Sequence, residues 1–281
     1  MKKAIIFILT LVAIINIAKS QGVYDDFIYT RQAVQERKVI PWPYLREADV
    51  FWAKRITRII DVREKQNRPM QWAKNPLSLI LYKNIIDGKL IPYKDDSLKS
   101  VLTIEEFARL GSDTSVQETP IDPNDPTITK TDTVVSTLNP YAAIQKFRIV
   151  EDWIFDKKES RMFVRIVSIA PQYELKALGS SIGWQDMCVL KYHEDQNNEL
   201  DCREILVNME IFNRQNDAAR VTYDDWFEQR LFSSYIIKEA NQEDLAIKYF
   251  AEFKDSPVAA MLEGERIKND LFEREHDLWE F

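Results

Sequence analysis

The sequence predicts an α+β protein in which a four-stranded antiparallel meander, at about residues 147–212, packs with N-terminal and C-terminal helices. Segments rich in β-branched and aromatic residues follow one another across this stretch. The links between them are short and polar, which favours antiparallel strands because parallel pairing needs long crossovers. Segments with apolar residues three and four positions apart lie on both sides of the stretch, as is typical of amphipathic helices.

The four strands are indicated by residue alternation and by the turns between them. We predict them at Phe147–Phe155, Met162–Ile169, Gly183–Tyr192 and Asp201–Phe212. The charged turn Asp156–Ser160 joins the first two strands, and Pro171 ends the second.

Two helices are predicted before the sheet. Leu45–Gln66 carries apolar residues at helical spacing, although the aromatic and β-branched residues between Phe51 and Val62 leave a strand as the alternative. In the second helix Asn75 is the expected N-cap, Pro76 fits the first turn and Gly88 the stop. A short strand at Lys89–Tyr93 and a helical turn at Thr103–Arg109 follow.

Three helices are predicted after the sheet. The first begins at a capping box formed by Thr222 and Asp225. The second covers Gln242–Phe253, and the third opens at Ser256 and Pro257. Its apolar residues do not share one stripe, so the third helix either bends near Gly264 or is buried on two faces.

The N-terminus is typical of a signal peptide. Lys2 and Lys3 precede the apolar run Ala4–Ala18, and small residues at Ala18 and Ser20 predict cleavage between Ser20 and Gln21. A retained membrane anchor is the alternative, although the run is short for a bilayer. The chain has a net charge of −7, and this acidity argues against nucleic acid or anionic membrane as a partner.

The predicted organisation has five parts. They are the signal peptide (1–20), an N-terminal arm (21–44), a helical lobe (45–111), a flexible loop or linker (112–140) and a sheet-plus-helices lobe (141–281). The linker is assigned because it is dense in Ser, Thr, Asp and Pro.

The cysteines Cys188 and Cys202 lie on the third and fourth predicted strands. If these strands form a hairpin that turns near Asp195, the two cysteines are directly opposed, and export then favours a disulfide. Two free buried thiols are one alternative. A zinc site that also uses His193 is another, although its spacing matches no standard metal pattern.

The search for chemistry finds no credible catalytic set and no cofactor motif. Gly179–Gly183 matches the pattern of a serine hydrolase, with Ser181 as nucleophile and His276 downstream, but a strand follows where a helix is required. The carboxylates of Asp224 and Asp225 could imitate a glycosidase pair, although acids are common at helix starts. An exported hydrolase that uses Ser181 or these carboxylates is the rival function.

Both ends of the mature chain are unusually aromatic, which predicts contacts with a partner or packing on the protein's own domain. The expected partner-contact residues are Tyr24, Phe27, Trp42, Tyr44, His276, Asp277, Trp279 and Phe281.

Several segments together resemble the GldN family, called PorN in some relatives. They are Ala53–Arg55 with Ile60–Lys65, Glu151–Ser160 with Val164–Pro171, Phe212–Arg220, Asp224–Asp225, Arg230–Ile236, Glu265–Asp270 and Glu275–Trp279. They occur in family order over most of the mature chain. The stretch from Cys188 to Cys202 fits least well, so the disulfide is not implied by the resemblance.

The resemblance implies a non-catalytic periplasmic component of the type IX secretion system and gliding machinery. It implies a ring formed with the lipoprotein GldK/PorK, which would supply the only membrane association, and contact with the inner-membrane motor proteins GldL and GldM. It assigns no binding residues one by one.

Overall fold

The computed structural model describes residues 37–111, 113–122, 125–136, 138–177, 180–193 and 201–277. The chain forms two compact units, Met1–Arg37 and Lys38–Phe281, and the elements below belong to the second. Within the described ranges no helix has the length and apolar character needed to cross a membrane. Several predictions fall outside these ranges, namely those for residues 1–20, the Ser20–Gln21 cleavage site, Tyr24, Phe27, Trp279 and Phe281.

The described strands, in chain order, are β1 (Val50–Asp61), β2 (Pro92–Tyr93), β3 (Asp113–Asp122), β4 (Asp125–Ser136), β5 (Ile144–Asp156), β6 (Arg161–Ala177), β7 (Ser180–Asp186), β8 (Val189–Lys191), β9 (Glu210–Ile211), β10 (Val221–Thr222) and β11 (Tyr235–Glu239). The described α-helices are α1 (Leu77–Ile86), α2 (Ile104–Arg109), α3 (Pro140–Ala143), α4 (Cys202–Leu206), α5 (Tyr223–Glu228) and α6 (Pro257–Asp277). The mixture confirms the α+β class.

The main sheet has the strand order β11-β1-β5-β6-β8-β2, with β7 also paired to β6. All of these pairs are antiparallel. The predicted first two strands correspond to β5 and β6, and the third is divided between β7 and β8. The strand predicted at Asp201–Phe212 is wrong. The segment begins with helix α4, on which Cys202, Ile205 and Leu206 are buried. The prediction failed because a short apolar run with this spacing fits a helix as well as a strand.

The helix predicted at Leu45–Gln66 is also wrong, and the alternative of a strand is correct. β1 lies between β11 and β5, with Ile56 opposite Glu151 and Ile60 opposite Phe147. Its aromatic and β-branched residues suit this central position. The segments 45–111 and 141–281, predicted as separate lobes, therefore share one sheet.

The segment predicted as a loop or linker, 112–140, contains a two-stranded ladder of its own. β3 and β4 pair from Asp113 opposite Ser136 to Asp122 opposite Asp125. β-branched Thr and Val residues occupy much of β4, so the polar composition concealed a strand pattern.

The predicted helix starts are confirmed where side chains cap the backbone. Thr103 and Thr222 each form a capping box, with Glu106 and Asp225 respectively. Gly88 follows α1 with φ +70°, as expected of a helix stop. Asn75, however, does not cap α1, because the helix begins at Leu77 and Pro76 occupies the N-cap position; the Asn75 amide nitrogen instead donates to the carbonyl of Glu210 at 2.6 Å.

The helix predicted at Gln242–Phe253 is wrong, since only a 3₁₀ turn at Ile247–Tyr249 forms there. The side chain of Asn241 accepts a hydrogen bond from the Leu245 amide and donates one to the Leu245 carbonyl. Asp244 adopts φ +54° between them. The backbone amide and carbonyl of Leu245 are thus bound by the Asn241 side chain and do not form the hydrogen bonds of a helix.

The two largest apolar clusters join helices to the sheet. The larger cluster joins α1, α2, α4 and α5 to the sheet, with Leu81, Phe107 and Phe147 among its most buried members. The smaller cluster joins α6 to β1, β5 and β11 through Ile267, Leu271, Ile56, Trp153 and Ile236. Because each cluster draws on strands distant in sequence, the sheet and its helices depend on one another for burial.

Helix α6 buries one stripe against β11, formed by Gly264, Ile267 and Leu271. Val258 and Leu262 are 67% and 66% exposed, so the alternative of two buried faces is wrong. A Cβ atom on Gly264 would lie 2.6 Å from the carbonyl oxygen of Ile236. Glycine is therefore required by the close approach of the helix to the strand.

Gly264→Ala is expected to destabilise the protein by about 1–3 kcal/mol, because the helix or the strand must move to admit the methyl group. The measurement is the free energy of unfolding by urea denaturation. Asn269→Ala, at an exposed site of the same helix, is the control and should change stability by less than about 0.5 kcal/mol. Equal stabilities of the Gly264→Ala variant and the unaltered protein would contradict this packing.

Candidate functional site

A buried polar cluster lies where the end of β8, α4 and α5 meet the last residues of the predicted N-terminal arm. We call it the Trp42 cluster, and its members are Trp42, Tyr192, His193, Asp201, Arg203, Asp224 and Glu228. It contains residues that the sequence singled out for partner contact and for catalysis, so it is the first place to look for function.

Local structure places each charged side chain of this cluster. Arg203 lies in the first turn of α4, two residues after the N-cap Asp201. Asp224 and Glu228 lie on α5 four residues apart, so they share one face of that helix. The antiparallel ladder of β8 with β6 positions Tyr192 and His193 immediately after it.

Arg203 holds the two carboxylates together. Its Nε atom lies 2.8 Å from Asp224 Oδ1, and its Nη2 atom lies 3.5 Å from Glu228 Oε1. The Tyr192 hydroxyl also donates to Asp224 Oδ1, at 3.4 Å. The Arg203 side chain is only 4% exposed, so its charge is neutralised by these partners rather than by water.

Burial, with the neighbouring charges as smaller causes, shifts the pKa values of two members of this cluster. Burial raises the pKa of Glu228, and the nearby Asp224 carboxylate raises it further, while Arg203 and the Trp42 hydrogen bond lower it in part. Burial also raises the pKa of Tyr192 well above its ordinary value, with Asp224 contributing. The tyrosine therefore stays neutral and acts as a hydrogen-bond donor.

Trp42 closes this cluster. Its indole nitrogen donates to Glu228 Oε1 at 3.2 Å, and its ring centroid lies 5.0 Å from Arg203 Cζ. The ring also packs edge-on against His193, with centroids 5.0 Å apart. Cation–π and aromatic contacts of this kind stabilise a tryptophan on its own domain. Trp42 therefore packs on its own domain, which is the alternative given for the aromatic ends, and its predicted contact with a partner stays a prediction.

The other described partner-contact residues are exposed. Tyr44, two residues after Trp42, is 86% exposed. His276 and Asp277 are exposed at the end of α6. The carbonyl of Pro43, between Trp42 and Tyr44, accepts a hydrogen bond from Arg165 Nη2 at 2.6 Å, so the Tyr44 backbone is held close to the sheet.

The cysteine hairpin is wrong. Cys202 is the first residue of α4 rather than part of a strand opposite Cys188, and both cysteines are free and buried. Burial raises the pKa of both thiols, which keeps them protonated. This is the alternative of two free buried thiols.

The zinc alternative finds no support in the described residues. His193 Nδ1 lies 3.4 Å from Asp201 Oδ2, so the imidazole faces the carboxylate at the start of α4. Among the residues that the structure describes, no group of three or more His, Cys, Asp or Glu side chains is placed to hold a metal ion.

The residues of the rival hydrolase lie on three different elements. Ser181 is exposed on β7, opposite Lys176, and the strand continues beyond it. His276 lies at the end of α6. Asp224 is paired with Arg203, and Asp225 accepts hydrogen bonds from Thr222 in the capping box. These two carboxylates stabilise the fold through an ion pair and a helix cap. Ser181, His276 and the two acids do not form a nucleophile–base pair in this structure.

A second buried charge cluster was missed by the sequence analysis. Glu151 is fully buried on β5, with Arg58 Nε at 3.0 Å and Arg230 Nη1 at 3.1 Å. The indole nitrogen of Trp153 donates to Glu151 at 3.1 Å. Burial lowers the pKa of Arg58, and the Glu151 carboxylate opposes that shift. A glutamate inside a strand of large apolar residues was the available signal, since a buried acid requires cationic partners.

Two clefts lie beside α6, away from the Trp42 cluster. The larger, of about 800 Å³, is lined by Glu239, Glu263 and Arg266 among others. The smaller, of about 580 Å³, has a largely apolar lining that includes Trp184 and Tyr235. Neither is lined by Ser181, His276 or the acids of α5.

Fold and cluster together define an α+β protein whose buried charged side chains bind one another. The family model described as "Gliding motility associated protein GldN" matches residues 45–280. Because this match covers most of the chain, the protein belongs to the GldN family, whose members are components of gliding motility and type IX secretion. The comparison with curated proteins finds no match.

Arg203→Ala is expected to cost about 3–5 kcal/mol of stability, because it leaves the Asp224 carboxylate buried without its cation. The free energy of unfolding measures the effect. The matched control is Arg266→Ala on α6, where an arginine 58% exposed pairs with Glu263 and Asp270 and the loss should be about 1 kcal/mol or less. Similar losses at the two positions would contradict the buried ion pair.

Glu228→Gln is expected to change the pH dependence of stability. Because the folded state raises the pKa of Glu228, ionisation of this carboxyl opposes folding as pH rises above its ordinary value of 4.5. The stability of Glu228→Gln relative to the unaltered protein should therefore increase between about pH 4 and neutral pH and then level off. Urea unfolding at a series of pH values measures this difference. A difference that does not vary with pH, or one that decreases, would contradict the raised pKa.

Proposed function

We propose that the protein is a non-catalytic, periplasmic structural component of the type IX secretion system and gliding machinery. In this proposal it forms a ring with the lipoprotein GldK/PorK and contacts the motor proteins GldL and GldM. The observation that carries the proposal is the family match over residues 45–280. The lipoprotein is the only link to the membrane.

The chemistry of the described side chains supports a structural role. Asp224 and Glu228 are bound to Arg203 and Trp42, and Asp225 is bound to the backbone at the start of α5. Groups committed to each other in this way stabilise a fixed shape, whereas a catalytic acid or base must also reach a substrate. The protein acts in this proposal through its surfaces.

The N-terminal sequence supports periplasmic placement. The basic start, the apolar run and the small residues before Gln21 are the pattern of an exported protein. After export, the partner-binding residues of the proposal are Tyr24 and Phe27 of the arm and, in the second compact unit, exposed Tyr44 together with His276 and Asp277 at the end of α6.

The contacts of Trp42 hold the neighbouring backbone, which carries exposed Tyr44, in place. Its hydrogen bond to Glu228 and its packing on Arg203 fix the chain two residues before Tyr44. A partner that binds Tyr44 therefore meets an aromatic ring on a backbone already held in place, and less entropy is lost on binding.

Tyr44→Ser is expected to reduce association with the lipoprotein several-fold while the melting temperature is unchanged, because Tyr44 is exposed and contributes little to the fold. The measurement is co-purification with the co-expressed GldK-family lipoprotein, followed by mass determination of the complex. Tyr249→Ser, which replaces a tyrosine 59% exposed next to α6, is the control and should leave association unchanged.

The outcomes distinguish a failure of the proposed function from a failure of the proposed binding surface. If the unaltered protein fails to form a large complex with the lipoprotein, the proposed function is wrong. If it forms the complex and Tyr44→Ser forms it equally well, the function stands and the placement of the binding surface is wrong.

A further inference from the structure

A small cleft lies where the 3₁₀ turn before α1 meets the loop after β9. Its volume is about 240 Å³, and we call it the Trp72 cleft after one of its five lining residues, which are Arg68, Pro69, Trp72, Phe212 and Arg214. The ring centroids of Trp72 and Phe212 lie 5.9 Å apart, with the ring planes inclined by 43°. Both arginines are exposed. An aromatic pair therefore lies beside two accessible guanidinium groups.

Hydrogen bonds between distant segments hold the two sides of the Trp72 cleft together. The Asn75 amide nitrogen donates to the Glu210 carbonyl at 2.6 Å, which joins the chain after Trp72 to β9. The Tyr223 hydroxyl is fully buried at the start of α5 and lies 3.2 Å from the Met70 carbonyl oxygen and 2.9 Å from the Asn75 carbonyl oxygen. The cleft is therefore formed before any ligand binds, and little entropy is lost in ordering it.

The loop that carries Phe212 and Arg214 is also held by its own side chains. It connects β9 to β10, which pair with each other. The Asn213 side chain donates to the Ala219 carbonyl at 3.1 Å and accepts from the Gln215 amide at 3.0 Å. Such bonds fix the course of a loop that has no ladder of its own. The positions of the exposed ring and guanidinium are thus determined by the loop.

Arg68 and Arg214 differ from other exposed arginines of this protein. Among the residues that the structure describes, no carboxylate forms an ion pair with either of them. The chain carries a net charge of −7, so carboxylates are abundant and two neighbouring unpaired arginines call for an explanation. A guanidinium is a planar donor that matches a carboxylate, which points to an anionic ligand. Exposed arginines that do pair with a carboxylate of the chain include Arg55, Arg63, Arg161 and Arg266.

We propose that the Trp72 cleft binds an acidic segment of a partner protein, in which a glutamate or aspartate adjoins a large apolar residue. The carboxylate accepts hydrogen bonds from the guanidinium of Arg68 or Arg214. The apolar side chain packs against the rings of Trp72 and Phe212. Tryptophan and arginine are the residue types that most often carry the binding energy of protein interfaces, and this cleft combines them.

The charges and rings of the cleft favour a protein segment over other anions. Lipid-binding basic clusters contain about 4–8 lysines and arginines. Here only Lys74, with Nζ 6.0 Å from the Trp72 ring centroid, joins the two arginines among the described residues near that ring. The net charge of −7 also opposes approach to an anionic membrane or nucleic acid. A free inorganic anion has no apolar part to cover the rings. The cleft shares no residue with the proposed Tyr44 surface, and the inference does not depend on the proposed function.

Titration of the purified protein with short peptides tests the ligand chemistry. The probe is the peptide acetyl-Gly-Glu-Phe-Glu-Gly-amide, and the readout is the fluorine NMR resonance of fluorotryptophan at position 72, assigned with the variant Trp72→Phe. The probe should shift this resonance in a saturable way. A peptide with lysine in place of both glutamates should leave it unshifted, and one with glycine in place of phenylalanine should bind several-fold more weakly. No shift with the glutamate peptide, or equal binding of the lysine peptide, overturns the proposal.

A double variant tests the assigned residues. Arg68→Gln with Arg214→Gln removes both guanidinium groups and should weaken binding of the glutamate peptide several-fold. The melting temperature should stay the same, because both side chains are exposed. Lys157→Gln with Lys158→Gln is the matched control, since it removes two exposed positive charges from the turn between β5 and β6 and should leave the affinity unchanged. Equal losses in the two double variants would show that only the overall charge matters, and this overturns the proposal.

Three further measurements distinguish other occupants. Inorganic phosphate, compared with chloride at equal ionic strength, would shift the Trp72 resonance as strongly as the glutamate peptide if the cleft were a site for small anions. Phosphatidylglycerol vesicles would bind the unaltered protein but not the arginine double variant if the cleft met a membrane surface. The Trp72 resonance would move with protein concentration alone if a second copy of the chain covered the cleft. Any of these results overturns the proposal, and their absence beside saturable peptide binding supports it.

Discussion

The pairing of β1 with β5 is the constraint on which the rest of this structure depends. It extends from Val50 opposite Asp156 to Asp61 opposite Lys146 and joins parts of the chain about ninety residues apart. β11 then pairs with the free edge of β1, and α6 packs on β11 with Gly264 against the Ile236 carbonyl. β11 and α6 depend on the β1–β5 ladder, because they bury their apolar faces against the sheet that this ladder forms.

Buried charge imposes the second constraint. Glu151 can remain buried in the sheet only because Arg58 and Arg230 approach it, and Asp224 can remain buried on α5 only because Arg203 approaches it. Both groups join residues distant in sequence, so they form only when the correct elements meet. A carboxylate left without its cation would be costly, and the ion pairs therefore penalise alternative packings. The same commitment to internal partners explains why these acids support a structural role in the GldN family.

The two ends of the second compact unit's described residues pack against different apolar clusters of the sheet. Trp42 packs on Arg203 and donates to Glu228, so the chain enters the domain at the larger apolar cluster. Helix α6 ends near Trp52, at the smaller cluster. The exposed aromatic residues Tyr44 and Phe51 thus follow an anchored tryptophan on one side and adjoin the end of a packed helix on the other. In the proposed role such positioning favours binding, because the exposed rings are held by buried contacts.

By itself the sequence determined the features whose physical cause lies within a few residues. The helical turn that begins at Thr103, the capping box at Thr222, the stop at Gly88 and the alternation of β5 were all readable, because caps, turns and alternation act locally. Residues of the candidate site were readable in part, since Trp42 and Asp224 stood out by residue type. Arg203 did not, because its role exists only opposite Asp224.

Tertiary structure alone decided between patterns that fit two periods. Leu45–Gln66 contains strand β1 because β5 and β11 pair with its two edges, and Asp201–Phe212 begins with helix α4 because the larger apolar cluster receives one face of that helix. Apolar residues indicate that a segment is buried, but they do not indicate whether it is a helix or a strand. That choice depends on the element that packs against it, which lies far along the chain. For the same reason the cysteine hairpin failed, since Cys202 begins that helix instead of facing Cys188 on a strand.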